Sequence, residues 1–98
     1  MNINKTENER SLTLALTGRL DTTTAPQLEQ ALHESADGIT ELTFDLENLD
    51  YISSAGLRVL LAAQKRMNKQ GRMTVKNACS EIMEVFEITG FTEILTLE

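Results

Sequence analysis

The apolar positions change period along the chain, and the changes predict its elements. Leu12, Leu14 and Leu16 alternate with Thr13, Ala15 and Thr17, the period of a half-buried strand over residues 11–17. Ahead of it, Met1 and Ile3 alternate with Asn2 and Asn4, which fits a short edge strand. Asn8-Glu9-Arg10 reads as the turn between the two. From Ile39 to Leu46 a further strand places Leu42, Phe44 and Leu46 on one face, centred on residues 41–46. Met73-Thr74-Val75 marks a short strand within residues 73–76.

The other stretches follow the helical period. Pro26 suits a first helical turn, so a helix starts near Thr24 or Ala25. Its apolar stripe is Leu28, Ala31 and Leu32, and Gly38 lies beyond its end. A second helix carries Leu57, Leu60, Leu61 and Met67. It closes on Lys65, Arg66 and Lys69 with a glycine stop at Gly71, cations where a helix C-terminus favours them. Ser80 is a good N-cap for a third helix bearing Ile82, Met83, Val85 and Phe86, stopped by Gly90. The expected spans are 25–36, 55–69 and 80–88, and Phe91 to Leu97 closes the chain as a strand or short helix. Leu14, Leu16, Leu42, Phe44, Leu46, Leu57, Leu60, Leu61, Val75, Ile82 and Phe86 should be buried. This order predicts an α/β fold: one domain, residues 1–98, with a mixed, largely parallel sheet packed against helices.

Composition removes several classes of function. A chain of 98 residues with 41% hydrophobic and 24% charged residues is an ordinary globular one. Its 15 acidic and 9 basic side chains give a net charge of −6, which argues against nucleic acid and anionic membrane as partners. The lone Cys79 forms no internal disulfide, as fits a reducing compartment. The N-terminal decapeptide has no apolar signal region, and no apolar run approaches the ~20 residues of a membrane span. A soluble cytoplasmic domain is the expectation.

Catalysis is poorly provided for. His33, in the first helix, is the only imidazole and reads as a solvated helix residue. A serine nucleophile needs a base within hydrogen-bond reach, and metal sites need more His or Cys than this chain has. No metal, no cofactor and no enzymatic activity are expected. Cys79 reads as a helix-entry residue, and the Lys65, Arg66, Lys69, Arg72 cluster as a solvated helix end.

The most informative stretch is Asp50-Tyr-Ile-Ser-Ser-Ala-Gly-Leu-Arg-Val-Leu-Leu61. Small residues sit between a strand and a helix, and Ser53 or Ser54 can cap that helix. This stretch resembles the signature of STAS domains, in particular bacterial anti-sigma-factor antagonists: an apolar strand, an acidic turn, then Asp-Ser-Ser/Thr-Gly-Leu opening a helix. Ser53 stands where the signature has Asp, Ser54 where it has the phosphorylated serine, and Ala55 where it has a second Ser/Thr. Gly56-Leu57 match. Gly18-Arg19-Leu20-Asp21 resembles the family's first strand-to-helix loop, and Phe86-Glu-Ile-Thr-Gly-Phe91 its late Phe-x-x-Ser/Thr-Gly-Leu turn. The resemblance covers nearly the whole chain.

It implies a phosphorylation-controlled protein-binding module, with Ser54 as phosphoacceptor and Ser53 as the alternative. Asp21, Thr22, Ser53, Gly56, Leu57 and Arg58 would form the partner-binding end. The unphosphorylated form would bind an anti-sigma-factor serine kinase and release its target regulator, and a serine phosphatase would restore it. ATP and magnesium would belong to the kinase. Two other readings are a non-phosphorylated adaptor subunit of a lipid-transport ABC complex and a small-ligand or nucleotide-binding domain.

Overall fold

A computed structural model describes residues 1–98. The order is β1 (Asn2–Asn8), β2 (Ser11–Leu20), α1 (Ala25–Ser35), β3 (Glu41–Ile52), α2 (Ser54–Gln70), β4 (Arg72–Lys76), α3 (Ser80–Thr89) and a 3-10 turn, Phe91–Glu93. One sheet has the strand order β1-β2-β3-β4. β1 pairs antiparallel with β2, and the β2–β3 and β3–β4 pairs are parallel. A short turn suffices for the antiparallel pair, whereas each parallel pair needs a crossover, supplied by α1 and α2. The mixed, largely parallel sheet read from the sequence is the one observed.

Register explains why the apolar alternation was readable. Leu12 lies opposite Leu42 and Leu14 opposite Phe44, and all four are buried. Thr13, opposite Thr43, points the other way and is partly exposed. Leu28, Leu60 and Phe86 join the strand leucines in one core, one from each helix. Burying a side chain of this kind contributes about 1.5–3 kcal/mol. Leu61 departs from expectation and is only partly buried. The inward stripe of α2 runs through Leu57, Leu60, Gln64 and Met67, which leaves Leu61 at its margin.

The last part of β3 was not legible. The sequence reading ended this strand at Leu46, yet it continues to Ile52. Between the pairs Ala15–Asp45 and Thr17–Asn48 the partner strands advance by two and by three residues, so β3 holds one extra residue, a β-bulge. After it Leu49 faces the core, and a second extra residue, between the pairs Gly18–Leu49 and Arg19–Tyr51, brings Ile52 inward three residues later, so simple alternation fails. Asp45 fixes the bulge: its Oδ1 accepts from the Glu47 N–H at 3.1 Å and from Asn77 Nδ2 at 3.0 Å. The Asn77 bond, helped by the Glu47 N–H and the charge of Lys76, holds the Asp45 carboxyl below its ordinary pKa.

Two smaller differences occur near the C-terminus. Cys79, not Ser80, is the N-cap of α3, and Ser80 is its first helical residue. The Cys79 thiol points inward, 3.9 Å from the Leu49 carbonyl oxygen, so the helix entry is fixed by packing rather than by a hydroxyl. Beyond the 3-10 turn, Leu97 forms a single parallel bridge to Val75 instead of a full strand.

Candidate functional site

The end of the sheet where β2 and β3 finish carries the serine loop. The Ser53 N–H donates to the Leu20 carbonyl at 2.9 Å, so the loop leaves β3 still tied to β2. Ser53 is extended, with φ −101° and ψ 176°, the backbone of an N-cap. Its carbonyl accepts from the Leu57 N–H at 2.9 Å and its Oγ, more distantly, from the Gly56 N–H at 3.5 Å. Ser53 is therefore the cap, and Ser54 is the first helical residue. The Ser54 side chain is exposed. No acidic residue occupies the first turn of α2, whose free N–H groups and dipole favour negative charge.

Gly56 is required by close approach. A Cβ there would lie 2.7 Å from Leu20 Cγ and 2.9 Å from Ile52 Cγ1. The first turn of α2 thus rests directly on the ends of β2 and β3. Leu57 continues that contact, at 7% exposure. Both were expected in a partner-binding set, and the structure places them facing the core, where they shape the loop. The exposed members of the set are Thr22 and Arg58, beside the exposed Ser54, while Ser53 and Asp21 are partly buried.

Asp21 organises the neighbouring loop. Its Oδ1 accepts from the Thr23 N–H at 3.0 Å, Thr23 Oγ1 at 2.8 Å and the Thr24 N–H at 3.2 Å. The Thr23 hydroxyl is the main reason its pKa lies below the ordinary aspartate value. Arg19 Nε stands 3.6 Å from Asp21 Oδ2, and its guanidinium lies over the Tyr51 ring, 4.1 Å from the centroid. The Arg19–Tyr51 stack was not foreseen. Its signal appears only in the register that sets the two residues opposite each other after a second shift at Gly18.

A shallow cleft of about 390 Å³ separates Thr22, Pro26 and Glu29 from Ala55, Arg58 and Ala62. A larger groove of about 550 Å³ continues between α1 and α2 to His33 and Arg66. His33 is exposed there, one side of a groove whose other wall is the C-terminal half of α2, and no imidazole is brought to the serines. No three His, Cys, Asp or Glu side chains come together as a metal site would need. Nor do the four cations of the α2 end form a patch, because Arg66 pairs with Asp37 and Arg72 with Glu41. No helix is long and apolar enough to cross a membrane.

The STAS domain model matches residues 2–98. BtrV of Bordetella bronchiseptica is 41% identical over 85 residues, 85% of this chain and 73% of its own. The anti-sigma-B factor antagonist of Bacillus subtilis is 28% identical over 98 residues, 99% of this chain and 90% of its own. The fold matches that of the Bacillus cell fate determinant SpoIIAA, solved in its phosphorylated form, with a TM-score of 0.78 and 17% identity over 99% of this chain and 91% of that one. With a family model that spans all but the first residue, the chain belongs to the STAS domain family.

Proposed function

We propose that this chain is an anti-sigma-factor antagonist whose partner binding is switched by phosphorylation of Ser54. The observation that carries the reading is the division of labour around the serine. Ser54 is exposed while Gly56 and Leu57, within the same turn, are buried. A phosphate on Ser54 would extend into solvent at a helix N-terminus that tolerates anions. The core would be untouched and only the surface would change. Asp21 stands in the neighbouring loop, so a partner packed over the serine loop would meet added negative charge and lose affinity. The names of the family's relatives support an anti-sigma factor as that partner. A serine kinase would add the phosphate and a serine phosphatase remove it, in the cytoplasm, with neither nucleic acid nor membrane engaged.

The test is to incubate the chain, Ser53→Ala and Ser54→Ala with the cognate anti-sigma kinase and ATP, then map the phosphate by mass spectrometry. One phosphate on the unaltered chain and on Ser53→Ala, and none on Ser54→Ala, is the expected pattern. Modification of Ser53 alone would move the acceptor by one residue. An unmodified chain would favour a docking-only adaptor.

A further inference from the structure

We propose that Arg58 receives the phosphate of a phosphorylated Ser54, so that modification adds a dianion to this surface and withdraws a cation from it. The inference rests on the phosphorylation of Ser54 proposed above and concerns how that phosphate is held.

Ser54 and Arg58 are both exposed on α2, four residues apart. Residues at this spacing are neighbours on a helix, with Cβ atoms about 5–6 Å apart. Long helical side chains lean toward the helix N-terminus, the direction in which Ser54 lies from Arg58. Its planar fork matches two phosphate oxygens at once.

Arg58 is free to make this contact. Arg19 and Arg72 stand 3.6 Å and 3.8 Å from the carboxylates of Asp21 and Glu41, and Arg66 is paired with Asp37. Arg58 has no carboxylate within 4.0 Å. The charged group that shares its cleft is Glu29, across from it on α1, and it leaves the guanidinium unpaired. A phosphate with nearly two charges and three acceptor oxygens is the stronger and nearer partner. In the unmodified chain the same guanidinium is offered to an incoming protein. After modification it is folded onto the phosphate, and the partner loses a cation as well as meeting an anion.

The experiment installs phosphoserine at position 54 of the full chain by synthesis, without a kinase, and follows the phosphorus NMR signal against pH. Arg58→Gln should raise the second pKa of the phosphate by about 0.3 unit or more. Arg19→Gln should raise it by less than half as much, because Arg19 is held by Asp21 and Tyr51. An unchanged value in Arg58→Gln would overturn the inference. Equal shifts in both variants would do the same, since they would show a general field rather than a contact. Because the phosphate is installed chemically, a failure of the kinase to modify Ser54 sinks the phosphorylation reading separately and does not decide this titration.

Discussion

The two ends of α2 are built in opposite ways. At its C-terminus the helix is fastened on several sides. Gln70 Nε2 donates to the Ala36 and Ile39 carbonyls at 2.9 Å and 2.7 Å, Arg66 pairs with Asp37, and the Arg72 N–H donates to the Thr40 carbonyl at 2.9 Å. At its N-terminus the helix is held from beneath only. Gly56 and Leu57 sit on the core, Ser53 caps through a long hydrogen bond, and the outer face with Ser54 and Arg58 makes no contact that a phosphate would break. One end fixes the helix to the sheet, and with that fixture the proposed phosphorylation would change the charge of the other end without moving it. Fastening is concentrated at one end of the element, and the proposed phosphoacceptor stands at the other.

The largest expected effect tests the fastened end. A Cβ at Gly71 would collide with the backbone carbonyl of Thr40, and backbone cannot rotate aside. Gly71→Ala should cost about 3 kcal/mol in urea unfolding. A loss below about 1 kcal/mol would show that the entry to β3 yields easily and that this end is no fixture. Gly56→Ala comes next. Its new methyl meets the side chains of Leu20 and Ile52, which can shift, so a cost of about 1–2 kcal/mol is expected. An effect as large as that of Gly71→Ala would erase the distinction between the ends.

The serines sharpen the comparison. Ser53→Ala removes a cap whose hydrogen bond is 3.5 Å long and should cost about 0.5 kcal/mol, the low end for caps. Ser54→Ala, which removes no bond within the chain, should stay within about ±0.5 kcal/mol. A larger loss for Ser54→Ala than for Ser53→Ala would reverse the assignment of cap and acceptor.

The smallest effect is electrostatic. Asp45 titrates below the ordinary value of 3.8 in the folded chain because Asn77 and the Glu47 N–H bond its ionised form. A lowered folded pKa stabilises fully above the unfolded value, and that contribution disappears as pH falls through the folded one. Thermal melts from pH 6 down to pH 3 should therefore fall more gently for Asp45→Asn than for the unaltered chain below about pH 4. Parallel curves would mean that the bulge does not depend on this charge.

The outline of the fold was legible because most of the chain keeps one period at a time. Leu12 to Leu16 and Leu42 to Leu46 alternate cleanly, and Pro26, Gly71 and Gly90 punctuate the helices. Reading failed where geometry departs from period. Two register shifts, each with an extra residue in β3, put Leu49 and Ile52 out of alternation, so the strand seemed to end six residues early. The site was half legible. The small residues marked the loop, and the match to a known signature singled out Ser54. The apolar stripe placed Leu57 inward, as observed, but a pattern of letters could not tell that Gly56 lies against Leu20 and Ile52, because that depends on how closely α2 approaches the strand ends. Arg19 and Tyr51 lie far apart in sequence and meet only through the strand register.

The central claim is that charge added at the open end of α2 switches binding while the fastened end keeps the fold. The most direct measurement is the affinity of the cognate anti-sigma factor for the unmodified chain and for the chain phosphorylated at Ser54, by calorimetry under one set of conditions. Like-charge crowding over a desolvated loop predicts binding weaker by about 100-fold or more after phosphorylation. Equal affinity for the two forms would contradict the account.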